Sequence, residues 1–320
     1  MRHRLFLTQQ PPFTQNEVVK YGAQDNPLQI SLISFTDIDW KKKRKEYLMA
    51  IDNRPTRIKT LIKYLYSFCP YPLTVHIGKG KREHLRIVDF SVLETLRKAP
   101  LNQLTNSTTF EALLPTLGLC GGKMYYPAHL NKYRDKGLLH MQMPNQFAPY
   151  LIKLSELGVR KYCEIGVKYG GTFAITTEYL QRLSGLEYAC AADINYCPSL
   201  VRYSRRNRRA SFYQLDSASD SFLHLLKQHK FDAVFVDGDH EEKACYNDIL
   251  NATQYARHVI VHDISNDYTP GPGNAWKQMK KAFSDRYIFH EFTAQYADLL
   301  RDTGNIKLLG IGLAELIDRP

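Results

Sequence analysis

Acidic residues recur after short apolar runs in the second half of this 320-residue chain, and one of them is followed three positions later by a histidine, His240. Carboxylates accept hydrogen bonds from hydroxyl and amino groups and bind hard cations. A histidine can take up a proton near neutral pH. These residue types predict a site that holds a polar ligand and removes a proton from it. The acids are Glu164, Asp193, Asp216, Asp237 and Asp263.

Each acid lies at the end of a segment that the sequence predicts to be a β-strand. The segments are 161–165, 188–192, 210–215, 231–236 and 258–261. Helix-like segments separate them, which predicts an α/β fold with a doubly wound, mostly parallel sheet. Segments 287–292 and 308–313 complete a seven-stranded sheet. Ligands bind beyond the carboxyl ends of such strands, so we expect the acids to meet at one edge. For any single Asp, a helix N-cap is the alternative.

The segment 162–180 combines the first of these strands with a glycine turn and a helix start. Gly166, Gly170 and Gly171 have no Cβ, so their backbone can adopt positive φ and let a ligand approach closely. The spacing Glu-x-Gly-x-x-x-Gly-Gly differs from the Gly-x-Gly-x-x-Gly of dinucleotide-binding folds, and an acid at this place repels a pyrophosphate. It suits a cationic or amino-bearing ligand. The alternative is a turn whose glycines only allow tight packing.

The glycine segment resembles the first motif of the class I S-adenosylmethionine-dependent methyltransferases, and the order of the strand-end acids extends this resemblance over about residues 140–320. The most specific similarity is Asp237-Gly-Asp-His240, followed by Asp248 and by His262-Asp263. It resembles a group that includes small-molecule and antibiotic-sugar O-methyltransferases. The resemblance implies a Rossmann-like methyltransferase fold and S-adenosyl-L-methionine as cofactor.

The same resemblance implies contacts between the chain and the cofactor. The carboxylate of Asp193 has two accepting oxygens, which suit the vicinal hydroxyls of a ribose. Asp216 and Ser217 are expected to bind the adenine, with Asp216 accepting from its amino group and Ser217 donating to a ring nitrogen. Tyr169 and Thr172 are expected near the methionine part. The remaining expected cofactor residues are Glu164, Gly166, Gly170, Ile194 and Asp237.

Methyl transfer from a sulfonium to a hydroxyl requires that the hydroxyl lose its proton. The resemblance implies His240 as the general base and Asp237 as a second catalytic residue. It also implies a divalent cation, Mg²⁺ or Mn²⁺, on Asp237, His262 and Asp263. His262 stands where those relatives carry a carboxylate, and an imidazole is a poor ligand for Mg²⁺ but suits Mn²⁺, Fe²⁺ or Zn²⁺. Without a metal, Asp237 would orient His240, and His262 would be a structural residue at a strand end.

The chain carries a formal net charge of +11, which allows an acidic partner such as nucleic acid. The basic residues concentrate at 41–45 and 202–209, and solvated helix faces explain both segments equally. A nucleic-acid methyltransferase is the second hypothesis. Methylation of base amino groups typically uses an Asn/Asp-Pro-Pro-Tyr sequence after the fourth strand, where Asp237-Gly-Asp-His240 stands instead. We therefore expect a small-molecule or carbohydrate acceptor. A non-catalytic ligand-binding module is the third hypothesis.

Six cysteines form no Cys-x-x-Cys pair, and several lie in apolar, strand-like segments. This predicts reduced thiols in the core of a cytoplasmic protein. The first residues have too short an apolar run for a secretory signal, and no run of eighteen uncharged apolar residues occurs. A homo-oligomer is compatible with the sequence.

The pattern divides the chain into two predicted domains. Residues 1–125 form a mainly helical extension that could contact the substrate or a second subunit, and residues 126–320 form the methyltransferase domain. The extension is predicted to contain helices at 39–51, 56–68 and 110–117 and a hairpin at 73–77 and 84–88. Segment 265–274 is rich in glycine and proline, is predicted to be irregular and is expected to form part of the rim of the acceptor site. Trp276 packs either in the core or against a substrate ring.

Overall fold

The computed structural model describes residues 88–121 and 126–317 and, for the backbone alone, residues 19–22. The helices predicted at 39–51 and 56–68 lie outside the described residues, as does the hairpin except for residue 88. Among the described residues, no helix combines the length and the apolarity that crossing a membrane requires.

One mixed sheet forms the centre of the described structure. Its strands are β1 Val19–Gly22, β2 Lys161–Ile165, β3 Tyr188–Asp193, β4 Ala210–Gln214, β5 Ala233–Val236, β6 His258–His262, β7 Tyr287–Phe292 and β8 Ile311–Leu316. They lie in the order β1-β4-β3-β2-β5-β6-β8-β7. Strands β2 to β6 are parallel, β8 is antiparallel to β6 and β7, and β1 is antiparallel to β4 at the edge. The predicted mostly parallel, doubly wound sheet is confirmed for β2 to β8.

Helices connect the parallel strands and cover both faces of the sheet. They are α1 Leu93–Lys98, α2 Leu101–Thr105, α3 Ser107–Leu113, α4 Pro144–Glu156, α5 Gly171–Leu183, α6 Pro198–Arg206, α7 Asp220–His229, α8 Glu242–Tyr255, α9 Pro270–Ala282 and α10 Ala297–Thr303. The chain adds β3 and β4 on one side of β2 and then β5 and β6 on the other. Such a reversal leaves a crevice at the carboxyl ends of β2 and β5, where ligands bind in open α/β sheets.

Alternate residues of the strands face two separate apolar layers. Tyr162 and Phe235 face the layer that contains α4 and α5, where Tyr150 is fully buried. Cys163 faces the layer that contains α8 and α9, where Trp276 is buried. Because both faces are covered, polar side chains of the central strands reach solvent mainly at the strand ends.

Two predicted strands have different bounds in the structure, and one of them, β8, also ends three residues later than predicted, at Leu316. Strand β5 begins two residues later than the predicted segment 231–236, because the carboxylate of Asp232 accepts hydrogen bonds of 2.8 Å from two backbone N–H groups at the start of β2. Strand β8 begins three residues later than the predicted segment 308–313, because Leu309 and Gly310 adopt positive φ. The other predicted strands agree with the structure within one residue.

Residues 88–121 pack on the same apolar layer as α4 and α5. The predicted helix 110–117 is α-helical in its first half and a 3₁₀-helix from Leu114 onward. Pro115 has no N–H to continue the α-helical hydrogen bonds, which explains the change. The division of the chain into two domains at residue 125 stays a prediction.

The five cysteines of the described part are buried, as predicted for core thiols. The Sγ atoms of Cys163 and Cys190 lie 3.5 Å apart on the neighbouring strands β2 and β3. Burial raises the pKa of Cys245 to about 12, so this thiol is not a nucleophile near neutral pH. The five residues are Cys120, Cys163, Cys190, Cys197 and Cys245.

Candidate active site at the carboxyl edge of the sheet

The carboxyl ends of β2 and β5 are in direct contact at Gly166. Its φ is +77°, and a Cβ atom there would lie 2.1 Å from the carbonyl oxygen of Asp237. Its N–H donates to the carbonyl of Ala192 at 2.8 Å, which joins the end of β3 to the same point. Only glycine fits both the left-handed backbone and the contact. The glycine turn therefore brings the ends of three strands together.

The two other glycines of the turn have separate structural reasons. Gly170 has a φ of +84°, and a Cβ there would meet the side chain of Leu200 at 2.4 Å. Gly171 does not adopt positive φ, and a Cβ there would lie 2.3 Å from the carbonyl oxygen of Leu138. For Gly171 the packing explanation is therefore correct, and the segment around Leu138 lies directly on the first turn of α5.

Asp193, at the end of β3, holds the glycine turn in place. Its Oδ2 accepts from the backbone N–H groups of Val167 at 2.9 Å and Lys168 at 3.2 Å, and its Oδ1 accepts from that of Asn195 at 2.7 Å. A carboxylate has about four lone-pair positions. The backbone occupies three of them, which leaves one on Oδ1 for a ligand hydroxyl. Two free oxygens for a vicinal diol were predicted from the sequence, so this carboxylate offers a ligand less than predicted.

Glu164 lies beneath the turn and not at an open edge. It is 1% exposed and accepts a hydrogen bond of 2.8 Å from the hydroxyl of Tyr162. Burial raises the pKa of Glu164 to about 8, and the nearby negative charge of Asp237 acts in the same direction. At neutral pH the Glu164 carboxyl is therefore mostly protonated, so it supports the strand end by a hydrogen bond.

The expected adenine-binding residues follow β4. Asp216 is exposed, and its Oδ1 accepts from the backbone N–H of Ala218 at 2.9 Å. The hydroxyl of Ser217 donates to Oδ2 of Asp248 at 3.1 Å. Burial raises the pKa of Asp248 to about 6, so this acid is mostly ionised at neutral pH and accepts the hydrogen bond from the Ser217 hydroxyl. The oxygen of Ser217 can then accept a hydrogen bond from a ligand, whereas Ser217 was predicted to donate one.

Three further expected cofactor residues surround the turn with different exposure. Ile194 is 65% exposed beside Asp193, so its apolar side chain faces solvent at the edge of the sheet. Tyr169 and Thr172 are buried, at 4% and 8% exposure. The turn thus offers an exposed apolar side chain at one end and closely packed side chains at the start of α5.

Two histidines and two carboxylates form a cluster at the ends of β5 and β6. Oδ1 of Asp237 lies 3.0 Å from Nδ1 of His262 and 3.4 Å from Nε2 of His240. Asp263 is 3.5 Å from each of the two histidines, through Oδ1 to His262 and Oδ2 to His240. The structure therefore brings together all four residues that the sequence analysis selected for catalysis and metal binding.

The same cluster contains a possible set of metal ligands. One donor atom from each of Asp237, His262 and Asp263 lies within 4.8 Å of the other two. Nε2 of His262 is buried and has no hydrogen-bond partner among the described residues. Metal-binding histidines usually donate their second ring N–H to an acceptor, and His262 lacks that support.

Asp263 is held in an uncommon backbone conformation. Its φ is +61°, and left-handed backbone costs roughly 1–2 kcal/mol for a residue with a Cβ. Its carboxylate accepts from Nδ2 of Asn266 at 3.0 Å and from the hydroxyl of Thr269 at 3.4 Å. These hydrogen bonds aim the buried carboxylate at the two histidines, so the backbone strain positions a functional group.

Opposite charges in the cluster stabilise one another. Burial alone would raise the pKa of Asp237, but the charge of His262 and the hydrogen bonds from both histidines lower it to about 2. Burial works against the charged form of His262, yet Asp237 and Asp263 raise its pKa to about 9. The hydrogen bond to Asp237 raises the pKa of His240, against the effect of its partial burial. The acids therefore increase the basicity of His240.

The first turn of α9 packs directly on this cluster. A Cβ on Gly271 would lie 2.1 Å from the carbonyl oxygen of His240, and one on Gly273 would lie 2.8 Å from that of Ile264. The prediction of an irregular segment over 265–274 is therefore wrong beyond Thr269, because α9 begins at Pro270 and proline is favoured at the first helical position.

Trp276 is a core residue. It is 2% exposed, and its Nε1 donates to Oε1 of Glu291 at 2.7 Å. Its ring contacts Phe289 edge to face, with the centroids 5.3 Å apart. A Cβ on Gly312 would overlap the ring at 2.7 Å. Of the two alternatives for this tryptophan, packing in the core is correct.

The arginine cluster lies at the opposite edge of the sheet. Arg205 and Arg206 end α6, and Arg208 and Arg209 directly precede β4. They are therefore at the amino ends of the parallel strands, whereas the acids and histidines are at the carboxyl ends. Basic side chains are favoured at the carboxyl end of a helix by its dipole, which explains part of this cluster without a partner.

No individual role was predicted from the sequence for Asn266, Thr269, Gly271 or Gln142, although the first three lie in the segment 265–274 that was expected at the rim of the acceptor site. Asn266 and Thr269 follow Asp263 by three and six residues, but hydrogen bonds from loop side chains leave no periodic signal. The Pro-Gly-Pro-Gly run at 270–273 is a signal for a helix start, and it was interpreted as a loop. Gln142 lies in an apolar segment before α4, and its burial is visible only in the fold.

No protein-family model matches the chain, and no curated protein does. Solved structures with a similar arrangement include an O-methyltransferase from Bacillus cereus in complex with S-adenosylhomocysteine, at 12% identity and a TM-score of 0.40, with 71% of this chain and 96% of that chain covered. A second is the methyltransferase MycE of the mycinamycin pathway with Mg and S-adenosylhomocysteine, at 16% identity and a TM-score of 0.39. That match covers 56% of this chain and 50% of the MycE chain.

A third similar structure is the O-methyltransferase TomG from Streptomyces achromogenes in complex with S-adenosylmethionine. It is 14% identical, has a TM-score of 0.39 and covers 56% of this chain and 82% of its own. These are proteins of the class that the motifs resemble. Since their TM-scores lie near 0.4, we base the function on the strand order and the site geometry of this chain.

Proposed function

We propose that the chain is an S-adenosylmethionine-dependent methyltransferase that methylates a hydroxyl group of a small molecule or a carbohydrate. The observation that carries this proposal is the cluster of Asp237, His240, His262 and Asp263, in contact through Asp237 with the glycine turn at Gly166. One edge of the sheet thus combines a ligand-binding turn with a polarised histidine.

The residues of the turn fit the cofactor that the motifs imply. When bound, S-adenosylmethionine supplies a methyl group activated by a sulfonium sulfur. Asp193 has one free lone-pair position for a ribose hydroxyl, and the exposed side chain of Ile194 offers an apolar surface to an adenine ring. The N-cap of α5 is Gly170, which has no side chain to accept from the first-turn N–H groups, so these groups can receive a carboxylate.

His240 is the proposed general base. Its Nε2 faces Oδ1 of Asp237 at 3.4 Å, so the neutral imidazole donates its N–H to the acid and carries its lone pair on Nδ1. The side chain is 40% exposed, and the proposed mechanism requires that an acceptor hydroxyl reaches Nδ1. After Nδ1 takes the proton, Asp237 and Asp263 stabilise the imidazolium.

A divalent cation fits the donor set of Asp237, His262 and Asp263. Two carboxylates and one imidazole suit Mn²⁺, Fe²⁺ or Zn²⁺ better than Mg²⁺. When bound, the cation would lower the pKa of a coordinated hydroxyl. His262 must release a proton from Nδ1 to become a ligand, and its pKa of about 9 opposes this near neutral pH. We therefore expect cation binding to strengthen as the pH rises.

The acceptor surface is proposed on the loop after Asp263. Tyr268 in this loop is 57% exposed and borders a cavity of about 360 Å³. Two tyrosines and polar side chains suit a ring that carries hydroxyl groups, by stacking and hydrogen bonding. The cavity is lined by Tyr126, Ala128, Asn131, Tyr268, Leu299, Asp302 and Thr303.

The test is formation of S-adenosylhomocysteine from S-adenosylmethionine in the presence of a panel of phenols, catechols and sugars, measured by mass spectrometry. We expect product with at least one hydroxylated acceptor, and none with the matching deoxy or methoxy compounds. Product formed on RNA or DNA alone would contradict the acceptor class. Absence of cofactor binding would contradict the enzymatic function altogether.

A further inference from the structure

A buried carboxamide lies over the first turn of α5, next to the glycine turn. Gln142 is 1% exposed, and its Nε2 lies 3.5 Å from the hydroxyl of Thr172, the second residue of the helix. Its Oε1 is buried and has no hydrogen-bond partner among the described residues. An unpaired buried acceptor is destabilising, so this position calls for a donor that the described residues do not supply.

The amide of the neighbouring glutamine, Gln146, is paired on both of its polar atoms, in contrast to that of Gln142. Gln146, on the next helix, donates from Nε2 to the carbonyls of Ala294 and Leu308 at 2.9 and 3.2 Å and accepts on Oε1 from the N–H of Gly310 at 2.9 Å. Asn145 also has an unpaired amide oxygen. Of these three residues, Gln142 is the one whose amide contacts α5, through the hydroxyl of Thr172.

The N-terminus of α5 provides a second group beside Gln142 that can bind a ligand, the backbone N–H groups of its first turn. Helix α5 has thirteen residues, and its N-cap, Gly170, provides no side-chain acceptor. A Cβ on Gly171 would lie 2.3 Å from the carbonyl oxygen of Leu138 and 2.9 Å from the backbone N of His140, so the segment that carries Gln142 is fixed on this turn. The helix end favours a carboxylate, and an amide oxygen favours a donor such as an ammonium group. An α-amino acid carries both groups on one carbon.

We propose that Gln142 is a specificity residue for the methyl donor, with Oε1 accepting from the ammonium group at its amino-acid end. This inference rests on the proposed function, because S-adenosylmethionine is a nucleoside that carries such an end. Gln142 then distinguishes the intact donor and its product from nucleosides that have lost the amino acid.

Calorimetric titration of two ligands tests this role without an acceptor. S-adenosylhomocysteine and 5′-methylthioadenosine share the thioether nucleoside, but the second has no amino-acid end. Gln142→Met keeps the length of the side chain and removes both polar groups. We expect Gln142→Met to weaken the binding of S-adenosylhomocysteine at least tenfold, because a hydrogen bond from a charged donor is lost. The affinity for 5′-methylthioadenosine should be unchanged. Competition against S-adenosylhomocysteine makes weak binding of 5′-methylthioadenosine measurable.

The chain offers a matched control in Gln181, whose Nε2 donates to Oδ1 of Asn207 at 3.0 Å further along α5. Gln181→Met should change neither affinity. Gln142→Glu keeps accepting oxygens and should bind S-adenosylhomocysteine more tightly than Gln142→Met, which provides a second variant if the first is unstable in thermal melts. Equal effects of Gln142→Met on both ligands, or none, would overturn the inference and leave the methyltransferase proposal intact. Failure of the wild type to bind either ligand would overturn both.

Discussion

Replacing Gly166 by alanine should damage the fold and the site together, because two separate costs meet at this residue. An alanine at φ +77° costs roughly 1–2 kcal/mol in backbone strain. The new Cβ would also lie 2.1 Å from the backbone carbonyl oxygen of Asp237, which no side-chain rotation can relieve. Overpacking of this kind costs about 1–3 kcal/mol. We expect Gly166→Ala to lower the free energy of unfolding by about 2–5 kcal/mol in urea titrations followed by circular dichroism.

Gly304 provides the matched control for this prediction. It has a φ of +70°, and nothing lies within 4 Å of a Cβ built there, so Gly304→Ala carries the backbone cost alone. The Gly304→Ala variant should lose about 1–2 kcal/mol of unfolding free energy and bind S-adenosylhomocysteine with the affinity of the wild type. Gly166→Ala should in addition lose affinity for this ligand, since it displaces the end of β5. Equal loss of stability in the two variants, with binding retained in both, would refute the close contact between β2 and β5.

Three further predictions concern His240, Asp248 and Asp263. His240→Ala should lower turnover by about 10²-fold or more and keep the affinity for S-adenosylmethionine, and unchanged turnover would remove His240 as the base. The folded pKa of Asp248, about 6, lies above its ordinary 3.8, so Asp248 should lower the unfolding free energy by up to about 3 kcal/mol as the pH rises between these values. Urea titrations at pH 3.5 to 7.5 should show this contribution as a difference between the wild type and Asp248→Asn, because the raised pKa of Glu164 acts in both proteins. The same pH dependence in the two proteins would contradict the prediction. Mn²⁺ should raise the melting temperature of the wild type more at pH 8.5 than at pH 7. In Asp263→Asn, Mn²⁺ should not raise the melting temperature at either pH. An increase equal to that of the wild type would exclude Asp263 as a ligand.

The strand ends and the cluster of two histidines and two carboxylates were predictable from sequence because they depend on local patterns. Apolar runs that end in an acid mark buried parallel strands, and the register of the sheet then brings Asp237 and Asp263 to one edge. The motif resemblance selected His240 and His262, and the structure places them within 3.5 Å of these acids.

Other properties depend on contacts between distant segments. Glu164 reads as a strand-end acid in the sequence, but the face of β2 on which it lies buries it beside Tyr162. Gly171 reads as a flexible turn residue in the sequence. Glycine is required there because the backbone at Leu138, more than thirty residues earlier, leaves no room for a Cβ. The unpaired oxygen of Gln142 is likewise a property of packing. Such features have no signal in the spacing of residue types.

The central claim is that the carboxyl edge of the sheet binds S-adenosylmethionine beside His240. Isothermal titration calorimetry of this ligand with the wild type, His240→Ala and Asp193→Ala tests it most directly. We expect saturable binding by the wild type, the same affinity in His240→Ala, and at least tenfold weaker binding in Asp193→Ala, because Asp193 holds the glycine turn through two backbone N–H groups. No saturable binding by the wild type, or equal binding by Asp193→Ala, would contradict the claim.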